Sequence, residues 1–201
     1  MKRCMADADV ALLAEPRLDS SDGIEQLVER YGDRLYRLAL RITGVEKDAA
    51  EVIEDTLRAA VDSVDACAGQ STLGSWIYRT VARAAHERRQ RRQPVDGAIL
   101  DNVIPRLSAD GHFEPIIDWS SRIDEPDPHD TLNRAVADAI DELPADYRTA
   151  LILHDVEGAS KAKIADILTI EAPAVSSRVH RARLFVRHRL SEHFAHETFT
   201  S

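Results

Sequence analysis

The stretch SKAKIADILTIEAPAVSSRVHRARLFVRHRL, Ser160 to Leu190, decides the fold of this chain. Its pattern predicts a short helix from about Ser160 to Leu168, a break at Thr169, Ile170 and Glu171, and a longer helix from Ala172, together a helix-turn-helix. Ile164, Ala165 and Leu168 form the apolar stripe of the first helix, and Val175, Val179, Ala182, Val186 and Leu190 recur at three- and four-residue spacing in the second. The opposite face of the second helix carries Ser176, Ser177, Arg178, His180, Arg181, Arg183, Arg187 and Arg189, and no acidic residue lies between Ala172 and Ser191. Such a face suits phosphates, with the serines near the helix start within reach of base edges. Pro173 fits the first turn, where no amide partner is lost. Five arginines without one carboxylate are unusual in a chain of net charge -9, which argues for DNA contact over a merely solvated face.

At 201 residues and 44% hydrophobic content the chain can bury one or two helical cores. Cys4 and Cys67 sit in no metal-ligand spacing and cannot staple a small secreted domain, so a reducing cytoplasm is expected. There is no run of eighteen apolar residues, and the N-terminus is too acidic and too short in its apolar part for a signal peptide. The acidic balance argues against nonspecific nucleic-acid coating, but charge is unevenly placed. Pro94 to Asp130 holds nine acidic residues against two arginines, whereas Arg79 to Arg92 holds six arginines and one glutamate.

Residues 1 to 21 carry little pattern and read as an arm. Asp22 and Glu25 have the spacing of an N-cap and its capping partner. Ile24, Leu27, Val28, Tyr31, Leu35, Leu38, Ala39 and Ile42 then make one apolar stripe closed by Gly44. A second helix is predicted from Glu46 to Val64, with Val52, Ile53, Thr56, Leu57, Ala60, Val61 and Val64 inward and Asp48, Glu51, Glu54, Asp55 and Arg58 mostly outward. After a loop at Asp65 to Ser75, the third helix should turn Trp76, Ile77, Thr80, Val81 and Ala84 inward, leaving Arg79, Arg83, His86, Glu87 and Arg88 exposed. Residues 22 to 93 thus form a first helical domain. Residues 94 to 130, with four prolines after Pro94, read as an acidic linker whose apolar patch (Phe113, Ile116, Ile117, Trp119) can dock on a domain. A second domain spans 131 to 191. Leu132, Ala135, Val136, Ala139, Ile140 and Leu143 precede a break at Pro144, and a helix from Ala145 to Val156 stops at Gly158 before the helix-turn-helix. Residues 192 to 201 form a tail. The expected fold is all-α.

The segments LVERYGDRLYRLALRITG (27 to 44), DAAEVIEDTLRAA (48 to 60), SWIYRTVARAAHERR (75 to 89), DELPADYRTALILHDVEGAS (141 to 160) and VSSRVHRARLFVRHRL (175 to 190) come in an order that resembles the sigma factors of bacterial RNA polymerase. The resemblance is to the small two-domain, extracytoplasmic-function (ECF) type. It implies a sigma factor that binds core RNA polymerase and directs promoter recognition and transcription initiation. The first domain would grip the clamp helices of the β′ subunit and capture the melted −10 element, the second would read the −35 element, and the β subunit would complete the polymerase contact. Asp48, Glu51 and Asp55 are the residues expected to face polymerase. Arg79, Arg83, His86, Glu87 and Arg88 are expected at the −10 element, with the 65 to 75 loop as a pocket for an extruded base. Ser176, Ser177, Arg178, His180, Arg181 and Arg183 are expected at the −35 element. An anti-sigma protein is the further partner implied, able to hold a cytoplasmic chain at the membrane.

The chain departs from the family's usual residues at several of these places. It has Glu54 where glutamine is usual, Leu57 and Leu73 for phenylalanine, Ala59 for arginine, Arg83 for asparagine and Glu87 for aspartate. Thr169 replaces a turn glycine and would have to avoid the left-handed conformation. Ser176 stands where a basic residue is common. A second reading is a helix-turn-helix transcriptional regulator that is not a polymerase subunit, but residues 22 to 92 show no receiver or ligand-binding pattern. The chain has no paired carboxylates on a shared loop, no GxSxG, no HExxH and no phosphate-cradling glycine loop, so neither an enzyme nor a small-molecule substrate is expected. No cofactor is expected either, and His188, His193 and His196 lack the company of a metal site.

Overall fold

The computed structural model describes residues 21–62, 73–93 and 128–196, which form seven helices and two compact units dividing between Arg91 and Arg92. The expected arm through residue 20, the loop at 65 to 72, the linker through residue 127 and the end of the tail lie outside the described residues.

In the first unit, α1 (Ser21–Thr43) packs on α2 (Glu46–Asp62). Leu35, Leu38, Ala39 and Ile42 are buried from α1, and Ala49, Val52, Thr56 and Ala60 from α2. Val28, expected in the stripe, is instead exposed at 45%. Gly44 adopts φ 73, and its amide donates to the Leu40 carbonyl at 2.8 Å. This left-handed residue closes α1, as the glycine at that place requires. The buried Thr43 hydroxyl donates to the Ala39 carbonyl at 2.9 Å and accepts from the Val45 amide at 3.3 Å, so the turn into α2 is held by a side chain.

The third helix, α3 (Leu73–Arg92), starts within the expected loop. Its inward face is Ile77, Tyr78, Val81, Ala82, Ala85, His86 and Arg89, while Trp76, Thr80 and Ala84 are half-buried. The expected phase is therefore rotated. Ala82 and Ala85 are fully buried on this face, and Arg89 is drawn in to donate to the Thr43 carbonyl at 2.9 Å. His86, read from sequence as exposed, is only 7% exposed because it follows that same face.

The second unit begins with α4 (Pro128–Asp141), three residues earlier than expected and with a proline in its first turn. Pro144 precedes α5 (Ala145–Leu151), which continues as a π-helical turn at Ile152–Val156. The Glu157 amide donates to the Ile152 carbonyl at 3.0 Å and the Ala159 amide to that of Leu153 at 2.8 Å, with Gly158 between them at φ 67. In the widened turn Ile152 and Leu153 stay buried, while Asp155 and Val156 face outward.

The helix-turn-helix comprises α6 (Lys161–Leu168) and α7 (Ala172–His196). Ser160 caps α6, its hydroxyl accepting from the Lys163 amide at 3.3 Å. Ile167 rather than Ala165 joins Ile164 and Leu168 in the α6 stripe. In α7 the buried set is Val175, Val179, Ala182, Phe185 and Leu190. Phe185, missed by the sequence stripe, is fully buried with Leu143, Leu151 and Ala182, against Ile140, Tyr147 and Val186. Burial of such a ring contributes roughly 1.5–3 kcal/mol. α7 packs on α4, α5 and α6 together, and it extends well into the expected tail.

Thr169 does not avoid the left-handed region: it sits at φ 55, ψ 48, while the Ile170 amide donates to the Ala165 carbonyl at 3.0 Å. The short turn imposes this backbone on a β-branched residue. Thr169→Gly should therefore stabilise the second unit by about 1 kcal/mol, relief of strain exceeding the added freedom of the unfolded chain. The check is the free energy of hydrogen exchange at the buried amides of α7, where no increase would mean the turn accommodates threonine at no cost.

Candidate nucleic-acid interface

The helical period divides the outer residues of α7 into three strips. Arg178 and Arg189 lie on one flank, Ser176, Arg183 and Arg187 on the other, and Ser177, His180, Arg181 and Leu184 between them. The core that holds Val175, Val179, Ala182 and Phe185 turns the middle strip to solvent.

Three of the four flank arginines, Arg178, Arg183 and Arg189, are paired with carboxylates of the same unit. Arg178 lies 2.9 Å from Asp146, with the two side chains 24% and 17% exposed. Arg189 reaches Glu142 at 2.8 Å and Glu192 at 2.9 Å, and its guanidinium sits over the Phe185 ring at 5.4 Å. Its hydrogen bond with Glu192 raises its pKa despite some burial. Arg183 donates to Asp155 through Nε at 2.9 Å and Nη2 at 2.5 Å. That bond with Arg183 holds the Asp155 carboxylate below its ordinary range, against the effect of burial and with help from His154. His188 Nε2 is 3.3 Å from Glu192.

Of the six residues expected at the −35 element, Ser177, His180 and Arg181 are exposed on the middle strip, and Ser176 is half-buried at its edge. Arg181 makes no ion pair among the described residues. Arg183 is exposed but paired, and Arg178 is largely enclosed by its pair with Asp146. The expectation that Arg178 is open to phosphate is corrected on that ground. Arg187, expected on the basic face but not among the six, is exposed and makes no ion pair among the described residues.

Arg148 illustrates a different use of a guanidinium. It is 3% exposed, donates to the Ile140 carbonyl at 2.9 Å, and is paired with Asp141. Burial lowers its pKa, and the Asp141 hydrogen bond and charge oppose that shift.

In the first unit the expected partners of polymerase and of DNA meet each other. Arg88 of α3 lies 3.3 Å from Asp48 of α2 and is also paired with Glu51, the Asp48 side chain being only 14% exposed. The outward placement of Asp48 and the free exposure of Arg88 are both corrected, because the charges satisfy one another between helices. Asp55 and Glu54 remain exposed and hold Arg58 at 3.3 and 2.6 Å. On α3, Arg83 and Glu87 are about half-exposed and 3.9 Å apart, with Arg79 half-buried beside them and His86 behind in the core.

Known proteins give this arrangement its family. Residues 27–94 match the family model described as Sigma-70 region 2, and residues 133–186 match Sigma-70, region 4. The ECF RNA polymerase sigma factor SigE of Mycolicibacterium smegmatis is 29% identical over 169 residues, covering 84% of this chain and 62% of that protein. The ECF RNA polymerase sigma-E factor of Haemophilus influenzae is 27% identical over 187 residues, covering 90% of this chain and 95% of that protein. Among solved structures, CnrH in complex with the cytosolic domain of CnrY aligns with TM-score 0.59 and 22% identity, over 92% of this chain and 99% of that one. The sigma factor RpoE in complex with the anti-sigma factor NepR from Bartonella quintana aligns with TM-score 0.54 and 23% identity, over 83% and 95%. The chain belongs to the sigma-70 family of RNA polymerase sigma factors, in its ECF type.

The ion pairs of Arg88 make a stability difference measurable within the first unit. Arg88→Ala should cost about 1–2 kcal/mol, since a partly buried cation shared by two carboxylates is lost. Arg83→Ala should change stability by no more than about 0.5 kcal/mol. Urea unfolding of the two variants checks this, and equal midpoints would show that the Arg88 pairs contribute nothing.

Proposed function

We propose that this chain binds core RNA polymerase and directs it to promoters, using its two units on two promoter elements. The observation that carries the reading is the paired match to regions 2 and 4, in order, combined with an exposed strip of Ser177, His180 and Arg181 on the second helix of a helix-turn-helix. A strip backed by a packed core is rigid, and rigidity is what groove recognition needs. In this reading α7 enters the major groove at the −35 element. Arg181 and Arg187 contact phosphates, Ser177 and His180 lie nearest base edges, and Ser176 sits at the rim.

The outer face of α3, with Arg79, Arg83 and Glu87, meets the −10 element. Glu54 and Asp55, exposed on α2, face the β′ clamp helices, and Asp48 and Glu51 support that surface through Arg88. The β subunit contacts the second unit. Two structural neighbours are complexes, one named as an anti-sigma complex, which supports an anti-sigma partner for this chain also. No helix among the described residues is long and apolar enough to cross a membrane, so membrane retention in this reading comes through that partner.

Run-off transcription with purified core polymerase and a genomic fragment library tests the function. The expected result is a set of promoter-directed transcripts that appear only when the chain is added. If folded protein gives none, a helix-turn-helix regulator becomes the better reading. At the level of one residue, Arg181→Ala should weaken promoter binding by the holoenzyme and reduce the slope of log affinity against log salt by about 0.9, the value for one phosphate contact. An unchanged slope would remove Arg181 from the interface.

A further inference from the structure

Arg183 has an unusual setting for a surface arginine. Its guanidinium is held side-on by both oxygens of Asp155, Nε to Oδ2 at 2.9 Å and Nη2 to Oδ1 at 2.5 Å, yet its side chain remains 55% exposed. By contrast the Arg178 pair with Asp146 is sunk to 24% and 17%. A guanidinium has five N–H donors in a planar fork, and the side-on pair uses two of them. Both hydrogens on Nη1 and one on Nη2 are left along the far edge.

Asp155 is itself fixed. It is on the π-helical turn at Ile152–Val156, anchored from beneath by buried Ile152 and Leu153. His154 Nδ1 lies 2.6 Å from the same Oδ1 and donates to it in the tautomer that carries its proton there. The 3.5 Å approach of Arg183 Nη2 to His154 Nδ1 is then between two donors and adds no bond. Along α7, Arg183 follows Ser176 and His180 by seven and three residues and precedes Arg187 by four, so the fork stands on the ridge bordering the exposed strip.

We propose that Asp155 is a positioning residue for DNA recognition: it aims the free edge of Arg183 at one backbone phosphate, engaged only when α7 is seated in the correct register. The proposal rests on the sigma-factor reading and adds a residue to its −35 site. An arginine neutralised by a carboxylate gives up most of its long-range attraction for DNA and keeps a directed pair of donors. Its effect is therefore on discrimination between sites more than on affinity for DNA in general.

The test uses holoenzyme reconstituted with each variant, a promoter fragment from the run-off experiment, and the same fragment with its −35 region scrambled, titrated at several salt concentrations. For Asp155→Asn the two DNAs are expected to respond unequally. Binding to the scrambled fragment strengthens and its salt slope steepens, because an anion has left the surface. The ratio of promoter to scrambled affinity nevertheless falls about three- to tenfold, the effect of a rotamer-rich side chain no longer held in place. In an Arg183→Ala background the same substitution should leave the ratio unchanged.

If Asp155→Asn strengthens binding to both fragments equally, the carboxylate only masks charge and the proposal falls. It also falls if the ratio drops as much without Arg183, since Asp155 would then act through folding. Should wild-type holoenzyme give no promoter-directed transcript, it is the sigma-factor reading that fails, and the proposal with it.

Discussion

A helix leaves its last carbonyls without partners inside the helix, and a buried end must find donors elsewhere. Both units meet this constraint with an arginine taken almost wholly out of water. Arg89, 5% exposed, donates to the Thr43 carbonyl at the end of α1, and Arg148, 3% exposed, donates to the Ile140 carbonyl near the end of α4. Each joins a helix end to another helix, and the cation also complements the negative end of the helix dipole. The first bond sets the rotation of α3 about its axis. With Arg89 pinned inward, Arg88 turns toward α2 and meets Asp48 and Glu51, while Arg83 and Glu87 turn away to solvent. The surface available for recognition on the first unit is a consequence of that one rotation.

The second unit shows the same logic. Arg148 and Asp141 fix the α4–α5 corner, Phe185 packs against Leu143 and Leu151 from that corner, and α7 is thereby oriented. Its flanks then fall within reach of Asp146, Glu142 and Asp155, and the middle strip, Arg187 and the outer edge of Arg183 are left to an outside partner.

Much of this was legible in the sequence because it is local. Gly44, Gly158 and Ser160 mark helix ends by chemistry that acts over a few residues, and the stripes of α1, α2 and α7 follow a fixed period. The family resemblance supplied the order of the units. What was not legible depends on distant partners. Arg183 and Asp155 are 28 residues apart, Arg88 and Asp48 are 40, and Arg89 and Thr43 are 46. Arginine can cap a helix, pair with an acid or hold a phosphate, and its spacing along one helix does not distinguish these uses. The rotated phase of α3 has the same origin: Trp76 is the largest apolar side chain there, but the face that is buried is the one whose Arg89 finds the distant Thr43 carbonyl. Thr169 departs from its residue preference for another reason, since a short turn between two packed helices fixes the backbone before the residue type has a say.

The pairing of arginines also bears on how a chain of net charge -9 can recognise DNA without being captured by it. Affinity for random DNA grows with the number of phosphates neutralised, and each free cation adds to it regardless of sequence. On α7, Arg178, Arg183 and Arg189 each carry a carboxylate partner, so the effective cation count of the helix is well below its arginine count. A specificity subunit benefits from this, because genomic DNA offers a vast excess of wrong sites that compete for any loosely attracted protein. Contacts made through fixed geometry lose less of their value to those sites than contacts made through charge alone. In the proposed reading the acids around α7 are therefore as much a part of its recognition surface as the arginines they hold.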